Sequence, residues 1–100
     1  MIQVQFHSEA QAELGEAVEF YESRVAGLGI ALAAEVQRTL GFIESSPAGG
    51  APLGEKLRKL VVKRFPYSVI YRREGRFIYV LAIAHDRRRP GYWKVRQSTS

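Results

Sequence analysis

The sequence predicts an α+β fold: a helical hairpin packed on one face of a small, mostly antiparallel sheet, in the order β-α-α-β-β-β. Three observations carry that prediction. Apolar residues between Glu9 and Ser46 recur at helical spacing. Tyr67 to Arg72 and Phe77 to Ala84 are rich in β-formers and are joined across Glu74-Gly75. At the start of the chain, Ile2, Val4 and Phe6 alternate with Gln3, Gln5 and His7, the pattern of a strand with one buried face. One hundred residues are enough for one core and too few for two, so a single domain spanning 1–100 is expected.

In chain order, Ser8 stands three residues before Gln11, a capping-box arrangement that predicts a helix from Glu9 to about Arg24. Its apolar stripe is Ala10, Leu14, Ala17, Val18, Tyr21 and Val25, with Glu9, Glu13, Glu16 and Glu22 expected largely on the solvent side. His7, beside the cap, is read as structural. Gly27 and Gly29 predict a tight turn, and Leu32, Val36, Leu40 and Ile43 mark a second helix to about Ser46. Gly41 inside it is expected to admit a close neighbour, since glycine there costs roughly 1 kcal/mol relative to alanine. Ser45 to Gly54 is read as a surface loop and Leu57 to Phe65 as a strand with interleaved cations. Pro66, which lacks an N–H, predicts a turn or bulge before the next strand. Phe77 to Ala84 is apolar on both faces and is placed centrally in the sheet. The sheet face away from the helices is expected to stay more open, followed by an irregular tail.

Composition narrows the function. There is no cysteine, hence neither disulfide nor thiolate chemistry, and two distant histidines make a zinc site a poor fit. No phosphate loop and no nucleophile elbow occurs. The start, MIQVQFHSEA, lacks the features of a signal peptide, and no apolar run approaches the length of a membrane span, so a cytoplasmic protein without cofactor is expected. Charge is unevenly divided. Residues 1–55 hold two basic and eight acidic side chains, whereas residues 56–100 hold thirteen basic and two acidic. That asymmetry points to a cationic face for a polyanion or an acidic protein.

The chemistry-bearing run is His85 to Trp93 (HDRRRPGYW). Histidine as a residue type suits general acid–base work, which makes His85 a candidate, and the arginines suit stabilisation of a phosphorane-like charge. Tyr92 and Trp93 offer faces for an unpaired base. Together they predict metal-free RNA cleavage through an activated 2′-hydroxyl, against the plainer alternative that His85 and the aromatics pack the sheet end.

The segments Phe6-His7-Ser8-Glu9-Ala10, Phe20-Tyr21-Glu22 and Gly27-Leu28-Gly29 are followed by Phe65-Pro66-Tyr67-Ser68-Val69-Ile70-Tyr71-Arg72 and by Ala84-His85-Asp86-Arg87-Arg88-Arg89-Pro90-Gly91-Tyr92-Trp93. Over nearly the whole chain this pattern resembles the RelE/ParE superfamily, the toxins of bacterial type II toxin–antitoxin modules often labelled plasmid stabilisation proteins. The resemblance implies growth arrest by the toxin and a cognate antitoxin that shields its basic face. RelE-like members cut mRNA on the ribosome. By position Lys59 and Arg88 match two of their cations and Tyr92 their tail tyrosine, while His85 matches the histidine of related toxins. Ser68 and Val61 stand where such members carry a further arginine and lysine. ParE-like members instead poison DNA gyrase without catalysis. The expected roles are His85 as acid or base, Arg88 and Lys59 as phosphate stabilisers, and Tyr92 or Trp93 as base platform. Arg64, Arg87 and Arg89 would supply docking charge for ribosome and mRNA, with gyrase as the alternative target. A degenerate, non-toxic antitoxin-binding module is the third possibility.

Overall fold

A computed structural model describes residues 2–98. The first strand, β1 (Gln3–Phe6), leads directly into α1 (Ser8–Arg24). The cap belongs to His7 and not to Ser8: its Nδ1 accepts from the backbone N–H of Glu9 at 3.0 Å, and Ser8 is already helical. His7 is buried, as its structural assignment required. α1 and α2 (Leu28–Ser45) form the expected hairpin, turning at Gly27 with φ of +89°.

The residue that lets the two helices approach is Gly29, not Gly41. A Cβ on Gly29 would run into the carbonyl oxygen of Val18 and sit 2.9 Å from the Cβ of Glu22. A Cβ on Gly41 would meet open space. Glu22 also departs from the solvent-side expectation. Its carboxylate accepts from the N–H groups of Gly27 (2.7 Å), Gly29 (2.9 Å) and Ile30 (3.3 Å), closing the N-terminus of α2.

The sheet contains one strand that sequence pattern did not reveal. Inside the stretch read as a loop, Ala51–Leu53 forms β2, an edge strand antiparallel to β3 (Leu57–Val61). Its Pro52 fits that place because an edge strand can spare a donor. Gly50 anchors it. The buried Tyr71 hydroxyl accepts from Gly50 N–H at 3.1 Å and donates to Pro47 carbonyl at 2.9 Å, and a Cβ on Gly50 would lie 2.6 Å from that oxygen. β3 stops at Val61, short of the predicted Phe65, because Arg64 takes up a left-handed φ of +72° ahead of Pro66. β4 (Tyr67–Glu74) and β5 (Phe77–His85) form the hairpin across Gly75.

Strand order is β1-β5-β4-β3-β2, with β1 parallel to β5 and the other pairs antiparallel. β5 is interior and covered on both faces, while the geometric centre is β4. A bulge shifts the register: Ile70 pairs with Ala82 and Tyr71 with Val80, which leaves Leu81 over. Ile78, Val80 and Ile83 therefore face the helices, where they join Leu32, Val36, Ile43, Val69 and Tyr71 in the main core.

The second face is less open than expected. Leu57, Ile70, Leu81, Ala82 and Ala84 form a smaller apolar cluster there. Tyr92 and Trp93 pack on it from a 3₁₀ segment, Tyr92–Ser98, which folds the tail back across the sheet.

Candidate functional site

The bulge and the short β1 together leave one side of β5 without a strand partner. β1 ends at Phe6, and His7 N–H donates to Val80 carbonyl as the last bond of that ladder. Beyond it, α1 supplies the missing partner as a side chain. Glu13 Oε1 accepts from Ile83 N–H at 3.0 Å, and Arg96 from the tail donates to Leu81 carbonyl at 3.0 Å. The two then bind each other through two parallel bonds of 3.0 Å, and the Tyr92 hydroxyl donates to Glu13 Oε2 at 2.7 Å. An Arg–carboxylate fork of this kind is among the stronger side-chain contacts, and here both partners are nearly buried, with side chains 11% and 13% exposed. Glu13 was expected on the solvent side. Its position could have been found, because it lies three residues after Ala10 and four before Ala17, on the buried stripe. Arg96, alone in the tail, carried no such signal.

This knot decides where the run His85 to Trp93 lies. Arg88 places its guanidinium 3.9 Å above the Tyr92 ring and 4.0 Å from the Glu13 carboxylate. Burial, with Glu13 as the second cause, pushes the Tyr92 phenol far above its ordinary value, so the hydroxyl stays protonated and bound. Trp93 and Tyr92 meet in a T-shaped contact, with centroids 5.3 Å apart, and Trp93 packs on the outer cluster.

His85 is the register partner of Tyr67 and lies edge-to-face against its ring at 5.0 Å, on the side of the helical core. Its Nδ1 accepts from Arg87 N–H at 3.0 Å. Lys59 is the partner of Ile70 and so belongs to the opposite, outer face. Arg64 pairs with Glu35 of α2 at 3.4 Å, also away from that face. Arg87 and Arg89 are exposed and form no ion pair among the described residues. The structure thus brings Arg88, Tyr92 and Trp93 together, roots His85 and Lys59 in opposite-facing register positions although both border one hollow with Arg88 and Trp93, and leaves Arg64 apart.

Between those strand ends lies a hollow of about 80 Å³, bordered by Lys59, His85, Asp86, Arg88 and Trp93 with Ser68 at its floor. The Ser68 hydroxyl is buried and makes no hydrogen bond among the described residues. A wider groove of about 650 Å³ adjoins it on the outer face, sharing Lys59, Pro90 and Trp93. Among the described residues no cluster of histidines and carboxylates is suited to a metal ion, and no helix is long and apolar enough to cross a membrane.

A five-stranded sheet with a helical hairpin on one face and a cationic strand end on the other defines a RelE/ParE-type toxin. The family model for the ParE toxin of the type II toxin–antitoxin system parDE matches residues 4–90, and the chain belongs to that family. Membership implies an antitoxin partner. Among solved structures, a chain of the chromosomal ParDE toxin–antitoxin system from P. aeruginosa is similar, with 25% identity and a TM-score of 0.63. The match covers 85% of this chain and 96% of that one. No curated protein matches the sequence.

Proposed function

We propose that this toxin arrests growth by binding a protein target, DNA gyrase, and not by cutting mRNA on the ribosome. One observation carries this reading: the Tyr92 hydroxyl, the candidate nearest to a nuclease tail tyrosine, is committed to Glu13 at 2.7 Å beneath the Arg88 guanidinium. A group so held neither stacks a base nor exchanges a proton at neutral pH. Ser68 in place of a sheet arginine supports the same conclusion, because losing one transition-state cation commonly costs about 3 kcal/mol. Arg87 and Arg89 then serve as docking charge.

Induced expression without antitoxin tests this directly. Gyrase-linked DNA breaks and an SOS response with intact mRNA 5′ ends are expected. Position-specific cuts in translated mRNA, lost on His85→Ala or Arg88→Ala, would establish the ribosomal reading instead. No growth arrest at all would mark a non-toxic antitoxin-binding module.

A further inference from the structure

Ser68 presents an unusual combination. It is 2% exposed, its hydroxyl has no partner among the described residues, and it forms the floor of a hollow rimmed by Lys59 and Arg88. Buried hydroxyls are nearly always paired, so one left over beside two cations suits an acceptor that arrives from outside. The hollow, about 80 Å³, has room for a carboxylate. Next to it, the groove of about 650 Å³ has an aliphatic floor at Leu53 and Leu57, a wall at Trp93, and Lys56 and Lys94 at its rim. Hollow and groove together carry four lysine and arginine side chains against two carboxylates, Glu55 and Asp86.

We infer that this composite groove docks an acidic segment of the target protein, seating one carboxylate on Ser68 between Lys59 and Arg88 and an apolar side chain against Trp93, Leu53 and Leu57. A single-stranded nucleic acid fits less well, since successive bases need several aromatic faces and the groove offers one. The antitoxin is assigned elsewhere. Beside α2 at the sheet edge, Phe42 is exposed and Leu60 is only partly buried, and β2 ends its pairing at Lys59, leaving Leu60 and Val61 unpaired on that edge. An apolar surface beside an open strand edge accepts a wrapping helix or added strand. The inference rests on the protein-target reading, because it names the chemistry by which that target is held.

Trp93 is the only tryptophan, so its fluorescence reports the groove without a label. The full-length toxin is titrated with a twelve-residue peptide alternating glutamate and leucine, with the same peptide carrying lysine for glutamate, and with an oligothymidine of equal length. Saturable change with the acidic peptide alone is expected. Lys59→Glu and Lys94→Glu should each weaken it roughly tenfold or more, while Lys63→Glu, the same charge change outside the groove, should leave it intact. In cells the first two variants should lose growth arrest and keep antitoxin capture. No saturable change with the acidic peptide, equal or tighter binding of oligothymidine, or loss of antitoxin capture together with peptide binding would each overturn the inference. Position-specific mRNA cutting by the wild type would defeat the protein-target reading, whatever the titration shows. Gyrase-linked breaks that persist in Lys59→Glu and Lys94→Glu would defeat the groove while leaving that reading standing.

Discussion

Gly29 and Gly41 belong to one helix and respond oppositely to the same methyl group. At Gly29 a Cβ would meet the Val18 carbonyl oxygen, a backbone atom that cannot swing aside, so the two helices must separate. Gly29→Ala is expected to cost about 1–3 kcal/mol by overpacking, measured as a lower urea midpoint. Gly41→Ala faces open space and should raise stability by about 1 kcal/mol through helix propensity, read from the same titration. Tyr92 allows a sharper test of role. Tyr92→Phe removes one bond to a charged acceptor and should lower stability by about 1–2 kcal/mol. Growth arrest on induction should survive it. A nuclease that depended on the phenol would lose its cleavage pattern instead.

At the scale of elements, both helices are tied into the fold by carboxylates. Glu22, from the end of α1, fills the cap of α2, for which Gly27 has no side chain to offer. The Gly27 N–H, followed by those of Ile30 and Gly29, holds the Glu22 carboxyl below its usual value of 4.5, against the smaller opposing effect of burial. Glu35 is likewise depressed, first by the hydrogen bond from Arg38 and then by Arg64. A depressed folded-state pKa means that the unfolded chain binds more protons than the folded one as pH falls below 4.5. The contribution is complete above that value and lost as pH drops through the folded one. Glu22→Gln should flatten this acid limb, as measured by thermal melting between pH 3 and pH 6. The same ties explain the unevenness of sequence-based assignment. Helix spacing revealed α1 and α2 because a stripe is a local pattern. The capping box at Ser8 misled because His7, with a ring nitrogen at the right reach, took the cap. β2 stayed hidden because three residues with a proline have no periodicity, and Tyr71, twenty-one positions after Gly50, holds them in place.

Over the whole molecule, the acidic first half partly neutralises the basic second half. Glu35 takes up Arg64 as well as Arg38 of its own helix, and Glu13 takes up Arg96 with Arg88 close by. The cations left without ion pairs among the described residues include Arg87, Arg89, Lys56, Lys59 and Lys94. The tail has a second duty besides charge, since it covers the outer apolar cluster. Ending the chain after Gly91 should expose Leu57, Ile70 and Leu81 and leave Glu13 buried without its arginine. The expected cost is about 3 kcal/mol or more, with increased binding of an apolar dye and stronger light scattering as readouts.

Residue pattern alone was enough for the class of fold, the hairpin of helices, the β4–β5 hairpin and the concentration of cations at its end. All of these follow from contacts between near neighbours or from simple composition. Which cations are free, which face each one serves and whether Tyr92 has a hydroxyl to spare were settled only by packing. The reason is that Glu13 meets Tyr92 and Arg96 seventy-nine and eighty-three positions along the chain. A bulge at Leu81 and a strand that ends at Phe6 create the gap they fill, and no local spacing encodes a partner so distant.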